Sequence, residues 1–258
     1  MTSLKTNTFK AAIKAGQPQV GLWISLCSNY AAEATAYAGF DWALLDMEHS
    51  PNELGIVLSQ MQAFADSSTM TLVRPMWNDP VLVKRLLDAG APGLLFPMIQ
   101  SPEEAQAAVA ATRYPPKGIR GVGMTHRGNR FGHSKDYFDR IEDELCVLVQ
   151  VETRSALDQV EAIASVDGVD GVFFGPADIS ADYGKLGQPN DPEIWTIIKA
   201  AAAKVRALGK PVGTLVGSAE KGIELLNDGF AFVACGTDLG LLVRSADALA
   251  ASVKKGLK

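Results

Sequence analysis

The sequence predicts an α/β fold, a (β/α)8 TIM barrel forming a single domain over residues 1–258. Three observations carry this expectation. Eight short apolar runs alternate with longer helical segments, the runs are almost continuously hydrophobic, and glycines punctuate the helix ends. Unbroken rather than alternating hydrophobicity marks strands buried on both faces, as in a parallel sheet covered by helices. A doubly wound open sheet is the rival, but eight strand–helix units are the count of a closed barrel.

The strand candidates are residues 20–26, 42–48, 71–75, 93–98, 145–152, 171–175, 211–216 and 230–236, all short and rich in β-branched and aromatic side chains. Ser101-Pro-Glu-Glu, Asp191-Pro-Glu and Ser218-Ala-Glu open helices, each with a capping residue followed by Pro or acidic residues. Gly39, Gly90, Gly209 and Gly229 close them. Two segments interrupt the rhythm: residues 114–139, rich in Gly and Arg, and residues 180–192. A connection as long as the first is expected to be a functional lid or an interface element. Residues 239–258 form a final amphipathic helix with no partner evident in the sequence.

Composition narrows the function. With 47% hydrophobic residues in a chain of 258, a disordered protein is excluded, and no disulfide or zinc staple is needed. Twenty-four Lys and Arg stand against 29 Asp and Glu, for a net charge of −5. That balance argues against a nucleic-acid groove or a basic membrane patch, and it predicts mild long-range repulsion of anionic substrates. Cys27, Cys146 and Cys235 are odd in number and far apart, which reads as buried free thiols in a reducing compartment. Residues 1–19 carry no apolar signal core, and no run approaches the roughly 18 apolar residues of a membrane span. The expectation is a soluble cytoplasmic protein with no nucleic-acid or membrane partner.

In a parallel barrel, chemistry sits at the C-terminal strand ends. Asp46, Glu48 and His49 end the second strand, Arg74 the third, Gln150 and Glu152 the fifth, and Gly175 to Asp178 the sixth. Glu152 and Asp178 suit a hard divalent cation, with water and substrate filling the other positions; the alternative is that either acid caps a helix. His49 is the only histidine at a strand end and is the candidate general base, whereas His126 and His133 read as surface residues of the long loop. Arg74 can stabilise developing negative charge but cannot act as a base; otherwise it is a structural ion pair. None of the 14 lysines falls in a strand or at its C-terminal end, which disfavours a Schiff-base aldolase. A phosphosugar isomerase or phosphate-binding barrel, using loops near residues 216–218 and 236–238, is the competing enzyme class.

The residues at these positions resemble the HpcH/HpaI family of metal-dependent pyruvate aldolases. The resemblance rests on Gly21-Leu-Trp, Ala38-Gly-Phe-Asp-Trp, Leu45-Asp-Met-Glu-His, Val73-Arg-Pro, Leu87-Asp-Ala-Gly-Ala, Ala111-Thr-Arg-Tyr-Pro-Pro-Lys-Gly-Ile-Arg-Gly, Val149-Gln-Val-Glu-Thr and Phe174-Gly-Pro-Ala-Asp, in that order. It implies a lyase acting on 4-hydroxy-2-oxoacids, with pyruvate (or a close analogue) and an aldehyde as its partners. It implies Glu152 and Asp178 as ligands of Mg²⁺, Mn²⁺ or Co²⁺, and Arg74 at the keto oxygen. His49 matches the acid/base histidine, with Asp46 as its nearby supporting carboxylate and Asp88 pairing with it across a subunit boundary. Gln150 lies beside the metal, and the turn Gly175, Pro176, Ala177 and Asp178 offers backbone N–H groups to the pyruvate carboxylate. Trp23 and Leu215 resemble residues near the aldehyde pocket. The resemblance further implies a homohexamer, a trimer of dimers exchanging the last helix.

Overall fold

In the computed structural model, which describes residues 3–257, eight parallel strands close into a barrel in chain order. Met1, Thr2 and Lys258, which the expected domain and last helix include, lie outside the described residues. The strands are β1 (Gln19–Ile24), β2 (Trp42–Asp46), β3 (Met70–Arg74), β4 (Gly93–Phe96), β5 (Cys146–Val151), β6 (Gly171–Phe174), β7 (Val212–Val216) and β8 (Phe232–Thr237). Every end falls within two residues of the sequence expectation. The helices of the first half are α1 (Thr8–Lys14), α2 (Asn29–Ala36), α3 (Leu54–Ala63), α4 (Pro80–Asp88), α5 (Pro102–Thr112) and α6 (Tyr137–Glu144). Those of the second half are α7 (Arg154–Asp158), α8 (Val160–Ala164), α9 (Pro176–Asp182), α10 (Pro192–Ala207), α11 (Ala219–Asn227) and α12 (Asp238–Gly256). The side chains of Ser101, Asp191 and Ser218 cap α5, α10 and α11 as their sequence positions predict.

Side chains alternate between two apolar layers because successive strand residues point to opposite faces. Leu22, Ala43, Leu45, Val73, Leu94, Val147, Val149 and Val172 pack outward under the helices. Trp42, Leu44, Leu72, Leu148, Phe173 and Phe232 fill the interior. The interior is tight enough to dictate a glycine: a Cβ on Gly21 would lie 2.2 Å from the Trp42 ring. From below, α1 plugs the N-terminal end with Phe9, whose ring centroid is 5.4 Å from that of Trp42 and 5.6 Å from that of Phe232.

Three expectations change. Residues 114–139, expected to be a functional lid or an interface element, do not cover the chain's own mouth. They contain a 3-10 turn (Arg127–Gly132), lead into α6 and pack at the N-terminal end of the barrel, where Arg127 donates to the Ala89 carbonyl at 2.9 Å. His126 is not a surface residue, because its side chain is only 8% exposed; His133 is exposed as expected. All three thiols are free, but only Cys146 is fully buried, while Cys27 and Cys235 are half-buried. The expected last helix is present as α12, with Leu241, Leu242, Leu249 and Val253 uncovered in the single chain. Among the described residues no helix is long and apolar enough to cross a membrane.

Candidate active site

The period-two alternation that fills the barrel interior also selects the residues of its mouth. On β2 it runs from Trp42 and Leu44 to Asp46, on β3 from Leu72 to Arg74, on β5 from Cys146 and Leu148 to Gln150 and then Glu152, and on β6 from Phe173 to Gly175. The uppermost interior layer is therefore polar, and it lies where parallel barrels carry their chemistry.

Register brings the first pair together. Asp46 lies directly opposite Arg74 across the β2–β3 ladder. Arg74 donates from Nε and Nη2 to the two carboxylate oxygens of Asp46, each at 2.8 Å, and its Nη1 lies 2.7 Å from Glu48. Its guanidinium also stacks 4.9 Å from the centre of the Trp23 ring. Burial pushes the Asp46 carboxyl up, but the hydrogen bonds and charge of Arg74, with the Glu48 N–H, outweigh it and hold Asp46 below the usual carboxylate range. Glu48 goes the other way: burial, reinforced by Asp46 and Asp178, raises it despite Arg74 and His49. The Asp46 carbonyl accepts from Ser50 Oγ at 2.5 Å and from Asn52 Nδ2 at 2.7 Å, fixing the turn on which His49 stands exposed to solvent.

Glu152 is 1% exposed. Its oxygens accept from Met98 N–H at 2.8 Å and from Gln150 Nε2 at 2.5 Å. Burial pushes its carboxyl up to about 8, with Asp178 and Glu48 adding to the rise. Gly175 leaves the space this carboxylate occupies, since a Cβ there would sit 2.4 Å from Glu152 Oε2. The helix-cap alternative for the two acids does not hold. Thr153 caps α7, and α9 starts at Gly175 with no side-chain cap, leaving its first N–H groups available beside Asp178.

Arg74 thus pairs Asp46 and Glu48, while Glu152 and Asp178 have no ion pair among the described residues. The donors are hard oxygens, Gln150 Oε1 is buried without a partner, and burial raises the cost of charging Glu152, which a nearby cation would offset. Among the described residues no three His, Cys, Asp or Glu side chains form a closed metal cage. A site built on two carboxylates, completed by water and substrate, is what Mg²⁺-like ions accept.

Residues 19–245 match the sequence pattern of the HpcH/HpaI aldolase/citrate lyase family. This chain belongs to that family. It is 53% identical over 246 residues to a 4-hydroxy-2-oxo-heptane-1,7-dioate aldolase of Klebsiella pneumoniae, covering 95% of this chain and 93% of that protein. It is 51% identical to an Escherichia coli protein of the same name, covering 95% and 94%. In structure it superposes on an HpcH/HpaI aldolase/citrate lyase family protein from Burkholderia cenocepacia with a TM-score of 0.93 and 38% identity, covering 96% of this chain and all of that one. The protein is a lyase of the aldolase type, and HpcH/HpaI class II aldolases depend on divalent metals. The reaction class decides against the phosphosugar isomerase reading. So does Asp238, a buried carboxylate in one of the loops assigned to phosphate, which accepts from Ser25 N–H at 2.8 Å and Leu26 N–H at 3.2 Å.

The aldolase brings Trp23, Asp46, Arg74, Gln150, Glu152, Gly175, Pro176, Ala177, Asp178 and Leu215 to one barrel end, with Leu215 and Trp23 packed on the same interior cluster. Asp46 engages Arg74 with both oxygens and does not support His49. Asp88 does not meet His49 within one chain. It ends α4 at the N-terminal end of the barrel, where Oδ1 accepts from Arg120 Nη2 at 2.8 Å and lies 3.8 Å from His126 Nε2. Two contributors were given no role by the sequence reading. Glu48, placed at the mouth by the sequence, continues the inward alternation after Asp46 and pairs with Arg74. Met98 donates its N–H to Glu152 from a left-handed backbone (φ 52°), for which the sequence holds no signal.

Proposed function

We propose that this aldolase cleaves a 4-hydroxy-2-oxo dicarboxylate of the 4-hydroxy-2-oxo-heptane-1,7-dioate type to pyruvate and the corresponding aldehyde. The observation that carries the reading is the buried Glu152 with Asp178 at the same barrel end as the Asp46–Arg74 pair, in a chain 53% identical to an aldolase of that name. Glu152 and Asp178 would hold the divalent ion, Mg²⁺, Mn²⁺ or Co²⁺, which when bound supplies Lewis-acid stabilisation of negative charge on the 2-oxoacid.

The chain's own residues supply the rest. Arg74, fixed by Asp46 and Glu48, meets the charge that develops on the keto oxygen, and because it is already oriented it needs no rearrangement to do so. The N–H groups of Ala177 and Asp178 take the pyruvate carboxylate, Gln150 orients Glu152, and Gly175 keeps the space open. His49 removes the 4-hydroxyl proton as the C3–C4 bond breaks. The electron pair of that bond forms the pyruvate enolate, which takes a proton at C3. Trp23 and Leu215 wall the aldehyde side. The exposure of His49 and the outward position of Asp88 support a supporting role for Asp88 from a neighbouring subunit. The uncovered apolar side chains of α12 support exchange of that helix in a homohexamer, a trimer of dimers. Free thiols and the absence of a membrane-spanning helix among the described residues support a cytoplasmic setting for one barrel domain.

The test is pyruvate release from a panel of 4-hydroxy-2-oxoacids of varied length, with the enzyme stripped by EDTA and then resupplied with each metal. The heptanedioate is expected to turn over fastest, with activity lost in chelator and restored by metal. Undiminished activity in chelator would remove Glu152 and Asp178 from the reaction.

A further inference from the structure

At the N-terminal end of the barrel, opposite the mouth, lies a cavity of about 430 Å³. Its walls come from the chain start, the ends of α3 and α4, the start of β3, the 3-10 turn and α6. Met61, Met70, Leu87 and Ile141 give it an apolar lining, and Arg127 and Arg130 face it. Lys5 stands exposed at its edge. Glu144 also lines it, but that carboxylate is taken by Arg140 at 2.6 Å and by the Asn7 N–H at 2.7 Å.

Among the described residues the two arginines have no counter-charge. Arg127 is partly buried and its one hydrogen bond goes to a carbonyl, that of Ala89. Burial pushes its guanidinium down, and no acidic group offsets that push. Arg130 makes no side-chain hydrogen bond or ion pair with any described residue. It is nevertheless held in place by an unusual backbone: Arg130 and Phe131 are consecutive left-handed residues, with φ of 52° and 55°. Side chains other than glycine adopt that conformation only where the surroundings enforce it, and such residues gather at functional sites. A cation partly withdrawn from water without an anion is an unfavourable arrangement that an anionic ligand relieves.

We propose that this cavity is a second ligand site, separate from the aldolase mouth, for an amphipathic carboxylate. The apolar body of the ligand lies on Met61, Met70, Leu87 and Ile141. Its carboxylate pairs with Arg127 and Arg130, whose planar forks match the two oxygens. The site is independent of the substrate assigned to the mouth.

The probe is 2-naphthoate, with the neutral isostere 2-naphthamide as its control, titrated by fluorescence against the full chain. Saturating pyruvate and Mg²⁺ are present throughout to fill the mouth. The acid is expected to bind at least tenfold more tightly than the amide. Arg127→Met and Arg130→Met are each expected to weaken the acid at least tenfold and to leave the amide unchanged. Arg127→Lys, which keeps the charge but not the fork, falls between. Pyruvate release by all three variants stays at the wild-type rate, which also reports that they fold, and Glu152→Gln keeps the naphthoate affinity. Equal affinity for acid and amide overturns the proposal, as does unchanged acid binding in both methionine variants. Displacement of naphthoate by pyruvate, or no naphthoate binding by the assembled enzyme, overturns it too.

Discussion

At the mouth of the barrel four acidic residues gather, of which Arg74 pairs Asp46 and Glu48 and leaves Glu152 and Asp178 without an ion pair among the described residues. At the other end, Arg127 and Arg130 face an apolar cavity, and Lys10 and Lys14 share Asp170, at 3.1 and 3.4 Å. The net charge of −5 averages over these two arrangements and describes neither. The mouth gathers more carboxyl groups than Arg74 pairs, and burial raises two of them, an arrangement suited to recruiting a cation and then an anionic substrate. Around Lys10 the opposite end is electrically complete and packed by α1, as befits a region that holds the barrel shut. Substitutions at the mouth should therefore act on turnover and on pH dependence, and substitutions near Lys10 on stability alone.

The largest break in that comparison is Arg74→Ala. It removes the one cation of the mouth, and a loss in kcat/KM of about 10³-fold or more is expected, equivalent to roughly 4 kcal/mol of transition-state stabilisation. Asp46 and Glu48 also lose their partner, so a lower melting temperature should accompany the loss. Turnover within tenfold of wild type would remove Arg74 from the proposed mechanism.

Glu152 gives the next effect, with a sign that can be worked out. Its folded value of about 8 lies above the 4.5 of an exposed glutamate, so its ionised form disfavours folding. The penalty is absent below about pH 4.5 and grows as pH rises towards 8, reaching at most roughly 5 kcal/mol. Denaturant midpoints in EDTA should accordingly fall between pH 5 and 8. Glu152→Gln, or saturating Mn²⁺ on the wild type, should flatten that slope, and a slope that neither alters would place its cause elsewhere.

At the opposite end, Lys10→Met removes a buried ion pair and a 2.7 Å hydrogen bond to the Leu145 carbonyl. Because Lys14 still neutralises Asp170, a cost of about 2–3 kcal/mol is expected, at the low edge for a broken buried pair. Urea unfolding should show that loss while kcat stays unchanged. The smallest effect belongs to Lys117→Ala. Its pair with Glu142 at 3.0 Å is exposed on both sides, so stability should move by less than about 0.5 kcal/mol and turnover not at all.

The barrel was legible because a doubly buried strand must be largely apolar, and all eight runs are so up to their C-terminal ends. Much of the mouth was legible for a related reason: the alternation that fills the interior with Leu44, Leu72 and Leu148 also aims Asp46, Arg74 and Gln150 inward. What escaped depends on relations between strands or on backbone shape. That Asp46 stands level with Arg74 follows from the β2–β3 stagger, which neither strand states alone. Met98 and Arg130 adopt left-handed backbones that their residue types do not announce. The burial of His126 depends on where residues 114–139 pack, and the long connection between α5 (ending at Thr112) and β5 (starting at Cys146) does not determine that. Asp88 was reached only through the family resemblance, since it lies at a helix end far from the mouth of its own chain.

The carboxylate of Asp238 holds the backbone of Ser25 and Leu26 across 213 and 212 positions of sequence, at the seam where β1 meets β8. During synthesis, at about 5–20 residues per second, β1 is made well before Asp238 and must wait for it before this fastening exists. The loop that follows Trp23 is thus secured only after the end of β8 has been made. A chain lacking α12 can pair its strands and still leave this wall of the pocket loose, because Asp238 is the first residue of that helix.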